Sequence, residues 1–172
     1  MLERFHVPSD EAVHVNKDDM HATVVDIFLK MGMPPDEAEV ASDVLVYADI
    51  RGIETHGVSN MLRNYVKSFG EGGINPTPNP KIVREMPAAA TLDCDGGHGL
   101  VVGPMAMEMA IERAKVYGIG TITANNGRHF GAAAYHAAMA IDHDMIGLAM
   151  TSGGMSVVPV DGSKPMFGLN PI

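Results

Sequence analysis

The chain has 172 residues, a single cysteine (Cys94) and a formal net charge of −9. That acidic balance argues against sequence-independent nucleic-acid binding, which needs a concentrated positive surface, and the lone cysteine excludes an internal disulfide. Its 46% hydrophobic content suits a soluble globular protein that buries a core without metal or disulfide staples, the charged N-terminus MLERFHVPSDEAVHV does not read as a secretory signal, and no apolar run approaches the ~20 residues of a membrane span, so a cytoplasmic location is expected.

Asn16 reads as the N-cap of a first helix, with Asp18 and Asp19 in the first turn, where acidic groups suit the helix dipole. Met20, Val24, Ile27, Phe28 and Met31 mark one face at spacings of three and four, and Gly32 ends it. A second helix starts near Pro35, followed by Asp36 and Glu37. Its apolar stripe is Ala38, Ala41, Val44, Leu45 and Ala48. A loop runs through His56. Ser59 is then expected to cap a third helix with the stripe Met61, Leu62, Tyr65, Val66 and Phe69.

GEGGINPTPNP, residues 70–80, cannot continue a helix or a central strand. It divides a helical unit, 1–80, from a partial α/β portion, 81–172. Beyond it, KIVRE, ATLDCD, IGTITA and MIGLAMT read as strands. Pro104 to Tyr117 reads as a helix closed by Gly118, and AAAYHAAMAIDH as another. The alternation predicts an α/β layer with parallel neighbours. So few strands leave at least one sheet edge exposed, so the layer is expected to be incomplete.

Two loops carry candidate chemistry. NNGRHFG, residues 125–131, joins an apparent strand end to a helix start, where ligands of α/β sheets commonly sit. There His129 offers a hydrogen bond, Arg128 an anion partner, and Gly127 and Gly131 close backbone approach. The alternative is an ordinary strand-to-helix turn. His56 lies between Gly52 and Gly57, near Arg51 and Glu54. An imidazole titrates near neutral pH and suits proton transfer, but a lone histidine in a polar loop is commonly a surface residue. His129, His136 and His143 recur every seven residues. That is about 10.5 Å along a helix, too far for one zinc, so no metal is expected and His136 and His143 read as packing or exposed residues. His6, His14, His21 and His98 lack ligand spacing too. There is no GxGxxG, Walker A or GxSxG motif, and Cys94 reads as buried rather than nucleophilic.

Taken in order, ADIRGIETHGVSNMLRNYV, GGINPTPNP, LDCDGGHGLVVGPMAMEMAIERAKVYGIG, NNGRHFGAAAYHAAMA, IGLAMTSGG and GLNPI resemble the malate/L-lactate dehydrogenase-like family from about residue 16 onward. The resemblance implies a non-Rossmann fold and NAD or NADP as cofactor. It also implies a homodimer with the substrate and nicotinamide in a cleft near the interface, and a chain corresponding to the N-terminal half. His56 matches the histidine of the Ser/Thr-His-Gly motif, a proton donor or acceptor. His129 matches that of His-Phe-Gly, which with Phe130 and Gly131 lines the substrate and nicotinamide site. Thr151, Ser152, Asn170 and Pro171 fall in segments of the cofactor cleft. Asn60 stands where many members carry a substrate-binding arginine. Arg63, three residues on and on the same helical face, is a substitute, and Arg51 a second candidate for the substrate carboxylate. The expected reaction is hydride transfer between nicotinamide and a small 2-hydroxy or 2-oxo acid. The alternatives are a non-catalytic remnant or interaction module of the same family, and a metal-dependent hydrolase.

Overall fold

The computed structural model describes residues 8 and 10–172; His6 lies outside them. The first helix, α1, spans Lys17–Lys30, with the Asn16 side chain accepting from the N–H groups of Asp18 and Asp19. Gly32, at φ +91°, provides the left-handed residue that follows its end. The second helix, α2, spans Pro35–Ile50, with Pro35 in the first turn, where its missing N–H costs nothing. All five residues of its expected stripe are fully buried.

The next segment departs from expectation. Ser59 caps nothing; its hydroxyl accepts from Asn60. A short 3₁₀ turn, Glu54–His56, leads into a wide π-type turn, Val58–Leu62, and only then into α3, Arg63–Gly70. The cap is the Asp49 carboxylate from the end of α2, which accepts the Val58 N–H at 2.9 Å.

Residues 70–80 are irregular but anchored. Ile74 is buried, the Asn75 N–H donates to the Gly96 carbonyl, and the Asn79 N–H donates to the Asp95 carboxylate. Strands β1, Lys81–Met86, and β2, Ala89–Asp93, form an antiparallel hairpin, whereas β3, Thr121–Asn125, runs parallel to β2. The expected parallel neighbours are therefore found on one side of β2 only. The short Pro87–Ala88 link permits only an antiparallel return, while the α4 crossover permits a parallel one. The order is β1-β2-β3, so both outer strands are edges of this sheet.

Helix α4 runs Gly99–Tyr117, five residues earlier than expected, with Pro104 inside it. His98 acts as its N-cap: its Nδ1 accepts from the Leu100 N–H. Glycines in the first turns are there for packing. A Cβ on Gly99 would overlap the backbone of residues 128–130, and one on Gly103 would crowd His136.

Helix α5 covers only Ala133–Ala138. It tightens through i to i+3 bonds into a 3₁₀ turn, Ile141–His143, which ends at Asp144 in the left-handed region. The strand expected at 145–151 is not formed. Ile146, Leu148 and Met150 alternate as a strand would, yet all are exposed, and no strand pairs with them among the described residues.

The largest apolar core joins Val24, Val25 and Phe28 of α1 to Ala38, Ala41, Val44 and Leu45 of α2, with Tyr65, Ile74, Leu100 and Val101. A smaller one, Leu92, Cys94 and Val102, seals α4 onto the sheet. Each fully buried Leu, Val or Phe contributes about 1.5–3 kcal/mol, so α4 fastens the helical layer and the sheet together.

Candidate active site

Two loops meet above this core. One leaves α2 and carries His56; the other leaves β3 and carries His129. Their rings stack, with centroids 5.5 Å apart and planes 17° apart. The two histidines that the sequence singled out are thus brought together.

Backbone and side-chain bonds hold the second loop. Arg128 is exposed. Its Nε donates to the Gly73 carbonyl at 2.6 Å and its backbone N–H to the Gly97 carbonyl, pinning residues 70–80 to the sheet end. His129 Nδ1 receives the Gly131 N–H at 3.3 Å and lies 2.7 Å from the Tyr65 hydroxyl. An amide N–H can only donate, so Nδ1 is the acceptor and the Tyr65 O–H donates to it. The ring proton then sits on Nε2. Burial, and then the charge of His56, pull the His129 pKa below its ordinary value, which favours this neutral form. Burial pushes the Tyr65 phenol well up, so it stays a donor.

Behind Tyr65 lies His98, with ring centroids 4.3 Å apart at 74°, and Phe28 and Phe69 also border it. Its Nδ1 caps α4, so its proton is on Nε2, which is buried and has no hydrogen-bond partner among the described residues. Burial, then His129, push its pKa down to about 3. His98 is a neutral wedge that fixes the tyrosine.

In the first loop, Thr55 Oγ1 lies 2.8 Å from His56 Nδ1. Asn60 Nδ2 donates to the Glu54 carbonyl at 2.6 Å. Arg63, at the start of α3, is exposed, and Arg51 lays its guanidinium 3.6 Å from the centroid of the Tyr47 ring.

The Phe130 carbonyl accepts from His136 Nε2 at 2.7 Å and its ring stacks on that imidazole, while Gly131, at φ +76°, packs against Leu100. Thr151 donates its N–H to the Pro171 carbonyl, and Gly153 to that of Leu169 at 2.6 Å, so residues 151–153 lie alongside 169–171. Ser152 and Asn170 are exposed. No hydrogen bond joins this ladder to the two histidines among the described residues.

The heptad histidines go to three places: His129 to Tyr65, His136 into the core against Phe130, and His143 to an exposed turn. Among the described residues no group of three or more His, Cys, Asp or Glu is arranged to hold a metal ion. Cys94 is fully buried, and burial, then Asp93, raise its thiol pKa. A separate depression lined by Glu85, Met86, Pro87, Arg113 and Tyr117 shares no residue with the histidine pair.

Sequence reasoning missed three residues here. Tyr65 read as one member of an apolar stripe, His98 as an isolated histidine, and Asp49 drew no reading at all. Only the tertiary contact between α3 and the 126–132 loop reveals the tyrosine. The Asp49–Gly57 pair, eight residues apart, left a fainter trace, a glycine beside the motif histidine.

Residues 15–172 match the malate/L-lactate dehydrogenase family. The chain is 43% identical over 172 residues to a malate dehydrogenase of Pyrococcus abyssi, covering 100% of this chain and 47% of that protein. It is 40% identical over 149 residues to an L-sulfolactate dehydrogenase of Methanocaldococcus jannaschii, covering 87% and 43%. The solved structure of a malate dehydrogenase from Pyrococcus horikoshii OT3 superposes with a TM-score of 0.91 at 40% identity, covering 96% of this chain and 47% of that one. The chain therefore spans about half the length of the relatives it matches.

Proposed function

The chain belongs to the malate/L-lactate dehydrogenase family, and from that premise we propose that it acts in an NAD(P)-dependent oxidoreductase of small 2-hydroxy acids and their 2-oxo partners. The observation that carries the reading is the stacked His56–His129 pair, 5.5 Å between centroids, with the His129 tautomer set by the Gly131 N–H and the ring held by Tyr65. A bound nicotinamide supplies the hydride acceptor or donor. The fit on this chain rests on the 151–153 and 169–171 ladder, which leaves the Thr151 and Ser152 hydroxyls and the Asn170 carboxamide without side-chain partners among the described residues. Uncharged donors and acceptors of this kind match ribose hydroxyls and a carboxamide. Phe130 and Gly131, next to His129 in the chain, are assigned to the nicotinamide side of the site in the same reading.

Oxidising an alcohol removes a proton as well as a hydride, so a base must stand at the hydroxyl. His56 takes that role in the proposal. His129, neutral and with its proton on Nε2, donates to the substrate oxygen and orients it. Arg63 or Arg51 holds the substrate carboxylate, since a planar guanidinium binds it at two points. Arg63 is exposed at the start of α3, and the Arg51 guanidinium lies over Tyr47. A helical unit of residues 1–80 beside an α/β portion of 81–172, a homodimer and a cytoplasmic location belong to the same reading.

The decisive variant is His56→Ala. Reduction of a 2-oxo acid such as oxaloacetate, followed by loss of NADH or NADPH absorbance, falls by roughly 10²–10⁴-fold. Turnover close to wild type overturns the assignment.

A second reading is a non-catalytic interaction module of the same family. It draws on the exposed Ile146, Leu148, Met150, Val160 and Ile172, an apolar surface that suits a partner better than water. Fluorescence titration with NADH separates the two: saturable enhancement supports the enzyme, whereas no binding by a monodisperse chain supports the module.

A further inference from the structure

We infer that Asp49 is the positioning residue for His56, and that Gly57 is glycine in order to admit its carboxylate. Gly57 has φ −89° and ψ −172°, extended backbone open to any residue. Conformation therefore does not demand a glycine here. Space does: a Cβ on Gly57 would overlap the Asp49 carboxylate. That carboxylate is half-buried, and its Oδ2 accepts the Val58 N–H at 2.9 Å.

The consequence falls on the histidine. His56 ends the 3₁₀ turn, Gly57 follows it, and the wide turn starts at Val58. The first N–H groups of a helical segment have no partner inside it, and here the end of α2 provides one. The Asp49 bond ties the start of the wide turn, two residues beyond His56, to α2, whose apolar stripe is fully buried. The Asn60 bond to the Glu54 carbonyl closes the same loop from inside. His56 thus inherits its place from α2, as His129 inherits its own from Tyr65. Burial, then Glu54, raise the Asp49 pKa, while the Val58 bond opposes them. The aspartate is therefore held at a cost, and the Val58 bond is the interaction that favours its charged form.

The inference rests on the reading of His56 as the proton-exchanging ring, but it fails separately, because its test reads ring geometry rather than turnover. The 172-residue chain is prepared as wild type, Asp49→Asn, Asp49→Ala, Gly57→Ala and the Asp49→Ala/Gly57→Ala double variant. Histidine ring signals are followed by NMR, and unfolding by circular dichroism. The wild type shows a cross-peak between the His56 and His129 rings. Asp49→Asn keeps it, because the carboxamide oxygen still accepts from Val58. Asp49→Ala and Gly57→Ala lose it. Gly57→Ala lowers Tm by roughly 3–10 °C in the wild-type background and by less than about 2 °C once Asp49 is alanine, since the overlap is gone. An equal loss in both backgrounds overturns the steric half of the inference. A cross-peak that persists in Asp49→Ala, or disappears in a folded Asp49→Asn, overturns the positioning half. If Asp49→Ala does not fold, Asp49→Asn and Gly57→Ala alone decide: retention in the first with loss in the second supports the inference, and any other pattern overturns it.

Discussion

Leu45, in α2, is fully buried, whereas Leu148, in the extended stretch after α5, is 65% exposed. Both belong to clear apolar patterns. Around Leu45 the spacing is three and four, and every member of the stripe is covered. Around Leu148 it is two, with Ile146 94% and Met150 62% exposed. The difference lies in the partners. The stripe of α2 meets α1, which precedes it in the chain, and α4, which returns across it. A period of two needs a neighbouring strand to hydrogen-bond and a layer to cover it, and the described residues offer neither. An apolar pattern specifies a face; only a partner turns that face into a core.

The sharpest contrast is predicted where the packed region is densest. Phe28 is fully buried, borders Phe69 and His98, and belongs to the core shared by α1, α2 and α4. Phe28→Ala removes its apolar area and leaves a cavity that neighbouring helices fill only in part. The expected loss is about 3–5 kcal/mol, seen as a lower urea midpoint at unchanged slope. A loss below about 1 kcal/mol would mean that the packed region is no tighter than the stretch around Leu148.

A second test uses pH. His98 has an ordinary value of 6.5 and is pushed down to about 3 by burial and then His129. The unfolded chain therefore takes up a proton near pH 6.5 that the folded chain refuses until about pH 3. Stability is highest above 6.5 and falls as pH drops through that window, reaching about 2 kcal/mol of loss by pH 5 from this group alone. His129 and His136, also lowered by burial, act in the same direction, and the raised carboxyls of Asp49 and Glu37 act against it. His98→Asn keeps a capping acceptor for α4 and removes the titration. Urea midpoints measured from pH 7.5 to 5 should fall less steeply in the variant. An unchanged slope would show that His98 is hydrated, and that the interior beneath Tyr65 is as open as the far segment.

The same contrast explains what could be read from the sequence. Asn16, Gly32 and Pro35 mark helix ends through their own backbone and side-chain chemistry, so α1 and α2 were legible. The start of α4 was not. The helix reads from Pro104 onward, yet it starts at Gly99: Gly99 and Gly103 are small because residues 128–130 and His136 occupy the space beside them, and the cap is a histidine rather than a customary cap residue. The site divides likewise. His56 and His129 lie in loops whose position beside helix and strand ends hinted at chemistry, and the family resemblance added the rest. Tyr65 shows its role only as a hydroxyl reaching across 64 residues of sequence. Asp49 shows its role only through the space that Gly57 leaves open.

The smallest expected effect is the one that isolates the partner argument. Leu148→Ala removes the same atoms as Leu45→Ala. At Leu45 the loss should be about 2–5 kcal/mol, because transfer from water and cavity both count. At Leu148 the side chain is already largely hydrated, so truncation should move stability by less than about 0.5 kcal/mol. Urea unfolding of the two variants at one low protein concentration makes the comparison direct. The measurement is then repeated at tenfold higher concentration. If Leu148→Ala becomes costly only there, the exposed stretch is being covered by another copy of the chain, because association stabilises by mass action. If it is costly at every concentration, the stretch folds onto the chain itself and the contrast with α2 fails. A null effect throughout leaves the pattern around Leu148 as a face without a partner.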